Sequence, residues 1–123
     1  MSVVRVLVVD DVAAYLRAMV AVVAETTGFE VVGEASSGED ALVVATQSLP
    51  DLVLMDVHLP GIDGVEATRR LLLGDCPPAV VLLSTYDDEA GQQFLAESGA
   101  AAYVHKAVFG PDRLEQAWAV SQS

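Results

Sequence analysis

Positive charge is what this sequence has least of. Six basic residues, only one of them a lysine, face 18 acidic ones, for a formal net charge of −12 over 123 residues. Nucleic acid and anionic lipid are gripped by clustered Lys and Arg, so neither is expected as a direct partner of these residues. Cysteine is nearly absent too. Cys76 stands alone, which leaves no internal disulfide and no thiolate set for a metal, and it reads as a reduced loop cysteine ahead of Pro77 and Pro78. Long apolar runs are missing. The longest stretch without charge, Cys76 to Tyr86, falls well short of the roughly 18 residues a membrane span needs, and it holds two prolines. The amino terminus has no basic head, long apolar run and cleavage site in succession, so no secretory leader is read there and the expected location is the cytoplasm. Neither Gly-x-Gly-x-x-Gly nor a P-loop occurs, which disfavours nucleotide-binding enzymes.

What is abundant is small aliphatic side chains. The apolar fraction of 53% lies above that of an average globular chain and argues against disorder despite the charge. The apolar residues fall into short runs at Val3–Val9, Phe29–Ala35, Leu52–Met55, Ala79–Leu83 and Ala101–Val104, the pattern of strands buried on both faces. Helix-length segments lie between them. Val12–Thr27 places Ala13, Leu16, Val20, Val23 and Ala24 on one stripe; Ser37–Ser48 does so with Ala41, Leu42 and Ala45, with Ser36 or Ser37 as its cap. Asp63–Leu73 turns Ala67, Leu71 and Leu72 inward, and Pro111 opens a last helix carrying Leu114, Ala117 and Trp118. Asp87–Ser98 is the least convincing helix, because Gly91 costs roughly 1 kcal/mol relative to Ala and only Phe94, Leu95 and Ala96 cluster. Strand and helix thus alternate five times, which implies one α/β domain over residues 1–123, a doubly wound five-stranded parallel sheet with helices on both faces.

Ligands of such sheets sit beyond the carboxyl ends of the strands. There the sequence places Asp10 and Asp11, Asp56, Ser84 with Thr85, and Lys106. Each alone has a plainer explanation: a helix cap for Asp11, a solvated loop acid for Asp56, a surface charge for Lys106. Together they put three carboxylates, a hydroxyl and the one lysine at the same edge. Like charges that close need a cation, and an oxygen-only donor set without Cys or His points to Mg²⁺ rather than zinc. Lysine adds a second cation, worth about 4 kcal/mol against a carboxylate 4 Å away at an effective dielectric of 20. Metal, ammonium and hydroxyl together suit phosphoryl transfer, with one carboxylate as the nucleophile.

Four stretches carry a family resemblance: Val6–Asp11, Asp51–Gly64, Leu83–Asp88 and Gly99–Lys106. In this order and spacing they resemble the receiver domain of two-component response regulators over essentially the whole chain, with its flavodoxin-like (βα)5 fold. The resemblance implies that Asp56 accepts a phosphoryl group from a phosphohistidine of a sensor histidine kinase or phosphotransfer protein. It further implies that Asp10, Asp11 and Asp56 bind Mg²⁺ with the backbone carbonyl of His58, and that Lys106 pairs with the phosphoryl oxygen. Ser84 matches the switch hydroxyl and Tyr103 the aromatic that rotates with it. By the same resemblance, His58 and Tyr86 occupy the positions that flank the site and tune the phosphoryl lifetime, and dimerisation is expected through exposed helices. Such a chain is no enzyme in the usual sense, since it catalyses only its own phosphorylation and dephosphorylation.

Some points stay open in the sequence. Ser84 is favoured as the switch because it directly follows an apolar run, but a slip of one position would make it Thr85. Tyr103 also reads as a plain half-buried strand aromatic. Ala107 stands where many receivers have proline, often after a cis bond; without proline that bond costs about 3 to 4 kcal/mol, which leaves the loop geometry undecided. The weak fourth helix lies between Ser84 and Tyr103, and phosphorylation is expected to shift an equilibrium of that helix and the fifth strand. His58–Arg70 with Tyr86–Glu89 resembles receivers preceding a LuxR-type helix-turn-helix domain, which would lie beyond Ser123; a stand-alone regulator is the alternative. Two other classes compete. A haloacid dehalogenase would have aspartates separated by one residue where Asp10 and Asp11 are adjacent, and a pseudo-receiver would lack the intact acidic set.

Overall fold

Runs of Val, Leu and Ala only a few residues long can leave water entirely when a strand is covered on both faces, and this sheet is built that way. In the computed structural model, which describes residues 2–123, the strands are β1 (Val4–Val9), β2 (Phe29–Ala35), β3 (Leu52–Asp56), β4 (Ala79–Ser84) and β5 (Ala102–His105). All pair in parallel, in the order β2-β1-β3-β4-β5. Between and after them run α1 (Ala13–Glu25), α2 (Gly38–Ser48), α3 (Gly64–Leu72), α4 (Asp88–Ser98) and α5 (Pro111–Gln122). The doubly wound α/β arrangement is therefore the one the alternation implies. β3 and β4 each run one residue past their apolar stretch, to Asp56 and Ser84, because the ladder continues as Asp56 opposite Leu83 and Ser84 opposite His105. Similarly β5 spans Ala102–His105 rather than starting at Ala101. Among the described residues no helix is long and apolar enough to cross a membrane.

Side chains alternate across a strand, and the alternation divides the core in two. Leu7, Val9, Val53, Met55, Val80 and Leu82 face α2, α3 and α4, where they meet Ala41, Ala45, Val65, Ala67 and Leu71. Val6, Val8, Leu52, Leu54, Val81 and Leu83 face α1 and α5, against Met19, Val23, Leu114 and Ala117. Complete burial of each such aliphatic side chain contributes roughly 1.5–3 kcal/mol of transfer free energy.

The helices mostly turn inward the residues their spacing selects, with one correction. In α1 the stripe is rotated: Ala13 and Ala24 are exposed, while Met19 is buried with Val23 and partly buried Leu16 and Val20 complete the face. In so apolar a segment a large side chain gains more from the core than a methyl does, so Met19 displaces the alanines. Helix starts follow local chemistry. Ser37, not Ser36, caps α2 by accepting from Asp40 N at 3.0 Å; Asp63 caps α3 through Glu66 N, and Asp87 caps α4 through Ala90 N. α4 is a full helix in spite of Gly91, and the reason is packing: a Cβ at Gly91 would run into the Tyr103 ring.

From β1 the chain crosses one face to β2 on one side; from β2 it returns over the other face to β3 on the opposite side. The point between β1 and β3 where those crossovers diverge is the natural crevice of an open parallel sheet.

Candidate functional site

Register decides which side chains reach that crevice. Val9 pairs with Met55, so Asp10 and Asp56 leave their strands level with each other. Ser84 lies one residue beyond the partner of Asp56, and Lys106 one residue beyond the partner of Ser84. The pleat then separates them. Asp10, Asp56 and Lys106 share the parity of the residues facing α1 and α5, whereas Ser84 and Tyr103 share that of the α4 face.

On the first side the charges converge. Asp10, Asp11 and Asp56 each bring a carboxylate oxygen within 4.8 Å of the others, with Asp10 and Asp56 buried and Asp11 exposed. Lys106 Nζ donates to Asp10 Oδ2 at 2.7 Å and stands 3.3 Å from Asp56 Oδ1. The other oxygen of Asp10 accepts from Val12 N at 2.9 Å, so this carboxylate, not Asp11, ties down the entry to α1. Burial and the neighbouring Asp10 charge push the Asp56 carboxyl up to about 6, against the pull of Lys106 and the His58 backbone N–H. Burial alone would lower the Lys106 pKa, but the Asp10 hydrogen bond and the charges of Asp56 and Asp10 outweigh it, leaving the pKa raised. One ammonium thus faces three carboxylates. That residual negative charge, in an all-oxygen donor set, fits a hard divalent cation such as Mg²⁺.

On the second side the groups are neutral. Ser84 is buried and Thr85 exposed. Tyr86 N donates to Ser84 Oγ at 3.1 Å, Ser84 Oγ lies 2.6 Å from Tyr103 Oη, and Tyr103 Oη donates to the Tyr86 carbonyl. The phenol has one proton and the carbonyl can only accept, so Ser84 is the donor to Tyr103 and the three groups close a ring. His58, exposed, lays its imidazole 4.4 Å from the Tyr86 ring; Phe94 of α4 bridges to both, and to Tyr103 at 6.2 Å. The side chain of His58 is not among the clustered donors.

The loop after Lys106 is settled as well. No cis peptide bond occurs among the described residues. Lys106–Val108 forms a single 3-10 turn in which Ala107 N donates to His105 Nδ1 at 2.9 Å, a bond that proline could not make.

Two residues near the site escaped the sequence reading. Tyr15 in α1 places its ring 4.0 Å from Lys106 Nζ. Glu39 in α2 accepts from Ile62 N at 3.1 Å and so braces the loop between β3 and α3. At Gly61, which has φ +73° in that loop, the carboxylate of Glu39 occupies the space a Cβ would need. The Glu39 backbone N–H and that of Ile62 hold its carboxyl below the usual glutamate value. A first-turn glutamate ordinarily reads as a response to the helix dipole, and no local signal gives a reach of 23 residues.

Residues 6–119 match the family described as the response regulator receiver domain. The chain belongs to that family. It is 41% identical to response regulator GacA of Pseudomonas aeruginosa over 103 residues, covering 84% of this receiver and 48% of GacA. Among solved structures it resembles a LuxR-family two-component response regulator from Aurantimonas sp. SI85-9A1, with TM-score 0.86 and 30% identity over 98% of this chain and 86% of the other. It also resembles the response regulator domain of Thermotoga maritima CheB, with TM-score 0.85 and 26% identity over 98% of each. The chain spans about half the length of the curated relatives it matches, 48% in the case of GacA. It is a receiver domain of the LuxR-type subfamily of two-component response regulators.

Proposed function

We propose that this receiver takes a phosphoryl group from the phosphohistidine of a sensor histidine kinase or phosphotransfer protein onto Asp56, in the presence of Mg²⁺, and thereby controls an output. The observation that carries the reading is the Lys106 ammonium held between Asp10 and Asp56 with Asp11 alongside. Asp10, Asp11, Asp56 and the backbone carbonyl of His58 would hold the metal. Bound Mg²⁺ supplies positive charge that neutralises the phosphoryl oxygens as the group is transferred.

The chain's own residues supply the rest. With its pKa at about 6, Asp56 is mostly ionised at neutral pH and available as the nucleophile. Its oxygen forms the new O–P bond while the P–N bond breaks, and that electron pair returns to the imidazole of the donor. Lys106 then exchanges its contact with Asp56 for one with the incoming phosphoryl oxygen. On the α4 side Ser84 leaves Tyr103 for the phosphoryl group, and Tyr103, released from Ser84, shifts from its present place against Gly91 and Phe94 of α4. Hydrolysis of the acyl phosphate on the same site resets the chain, so no external substrate is turned over.

The LuxR-family likeness supports transcription as the output, through a DNA-binding domain outside residues 1–123, in the cytoplasm. A homodimer formed through exposed helices after phosphorylation belongs to the same reading. The test is intact-mass measurement after incubation with acetyl phosphate and Mg²⁺. The expected result is a gain of one phosphoryl group, lost with chelator and lost in Asp56→Asn. No gain in the wild type would make the chain a pseudo-receiver.

A further inference from the structure

The Lys106 ammonium has three N–H donors and two carboxylate partners. Asp10 takes one at 2.7 Å and Asp56 stands at 3.3 Å from the nitrogen. On a third side lies the ring of Tyr15, with the nitrogen 4.0 Å from its centroid. The remaining walls there, Met19, Val22, Leu83 and Phe109, are apolar. Only 8% of the Lys106 side chain is exposed, while Tyr15 itself is 42% exposed, so the ring forms part of the outer cover of a cation otherwise held within the site.

We propose that Tyr15 is the positioning residue for Lys106: its π face keeps the ammonium at the Asp10–Asp56 edge both before and after the phosphoryl group arrives. This rests on the phosphoacceptor reading of the same site. A carboxylate partner is directional and fixed, but Lys106 must trade Asp56 for a phosphoryl oxygen displaced from it. An aromatic face attracts a cation across its whole breadth, so the ammonium can slide between partners without passing into solvent. Lysine has four rotatable bonds in its stem, and without the ring the remaining apolar walls offer the ammonium no attraction on that side.

The single lysine makes the test selective. Lysine labelled with ¹³C at Cε gives one resonance, and its Hε protons should be shifted upfield by the Tyr15 ring current. Tyr15→Leu keeps apolar bulk at an exposed position and loses the π face. It should abolish the upfield shift and slow phosphorylation by acetyl phosphate with Mg²⁺ about fivefold, the size expected of a partly desolvated cation–π contact. Tyr15→Phe keeps the face and should restore both. In a Lys106→Met background Tyr15→Leu should change the residual rate no further, because Tyr15 acts only through the ammonium. Circular dichroism checks that each variant is folded. An unchanged rate in Tyr15→Leu, or an unchanged Lys106 resonance, overturns the proposal, as does a further loss in the Lys106→Met background. If the wild type gains no phosphoryl group, the phosphoacceptor reading falls instead, and the Lys106 resonance alone decides whether Tyr15 holds the cation.

Discussion

On the α1 and α5 side of β3, Asp10, Asp56 and Lys106 are held by ion pairs at 2.7 and 3.3 Å. On the α4 side, Ser84, Tyr86 and Tyr103 are joined by neutral hydrogen bonds over a loose set of rings 4.4 to 6.2 Å apart. The two regions start one residue apart in register, and the pleat sends them to opposite faces of one sheet. Their energies differ in kind. Buried charges interact at several kcal/mol and lose heavily when one partner goes, whereas a neutral hydrogen bond is worth about 1 kcal/mol net. A new dianionic group placed between them can break the neutral ring at small cost, while the charged side merely redistributes its partners. Under the proposed function, such a division would make one side the place where chemistry is held and the other the place where shape changes.

The strongest way to break the comparison is Lys106→Met. It leaves Asp10 and Asp56 buried without their cation and should destabilise the fold by about 3 kcal/mol at pH 7.5 in chelator, read from urea denaturation. Because the Lys106 pKa is raised, its stabilisation is complete below the ordinary lysine value of 10.5 and is lost only as pH rises through the higher folded value. Mg²⁺ should recover much of the loss. A cost under half a kcal/mol would mean that the charged side is no stiffer than the neutral one.

Asp56→Asn should act in the opposite direction. The folded Asp56 carboxyl sits at about 6 against an ordinary 3.8, so the fold prefers it protonated. Its contribution is therefore fully favourable below about pH 4 and is lost as pH rises through about 6. In chelator at pH 8 the asparagine variant should be more stable than wild type by about 3 kcal/mol, the difference vanishing toward pH 4. Thermal unfolding across that range checks it; a pH-independent difference would show that Asp10 and burial do not strain Asp56.

Much of the charged side is legible in the sequence, for a physical reason. Asp10, Asp11, Asp56 and Lys106 each lie at or just past the end of an apolar run, and in a parallel sheet all strand ends reach one edge. Even the division between the two sides is implicit in parity: counting by twos from Val8, Leu54 and Val104 reaches Asp10, Asp56 and Lys106, whereas Leu82 leads to Ser84. What cannot be read depends on helices meeting strands distant in sequence. Tyr15 over Lys106 and Glu39 on Ile62 are such contacts. The α1 stripe is misassigned at Ala13 and Ala24 because a segment rich in Val and Ala has almost no polar residues to mark its outer face. Gly91, which reads as a weakness of α4, is there because Tyr103 lies across it.

Gly91→Ala sharpens the comparison from the neutral side. Alanine favours the helix by about 1 kcal/mol, but its Cβ collides with the Tyr103 ring, and such overpacking costs about 1–3 kcal/mol. The expected net is a loss of about 1 kcal/mol, with the Tyr103 ring displaced and its bond to Ser84 broken while Lys106 stays in place. Urea denaturation and the tyrosine ring resonances report the two parts. If stability rises instead, the ring leaves freely, and packing on α4 is not what keeps it near Ser84.

The smallest effect is the most specific. Ser84→Ala removes two neutral hydrogen bonds, from Tyr86 N and to Tyr103 Oη, and should cost no more than about 1 kcal/mol, since Tyr103 keeps the Tyr86 carbonyl and Tyr86 is exposed to water. Its signature lies in titration. Burial raises the Tyr103 phenol above the ordinary 10.0, and the Ser84 hydrogen bond draws it partly back. Deleting the serine hydroxyl should therefore move the phenol still higher. Because a raised phenol stabilises the fold below its ordinary value and that stability is lost as pH climbs through the folded one, the variant, with its phenol raised further, should lose more alkaline stability than wild type, its decline running on to higher pH. NMR titration of the Tyr103 ring decides the matter. A phenol that titrates lower instead would mean that Tyr103 donates to Ser84, since an acceptor holding the phenol proton raises its pKa, and the ring's polarity would be reversed. The serine hydroxyl would then have its proton free before any phosphoryl group arrived, and the neutral side would be turned toward the site as firmly as the charged one.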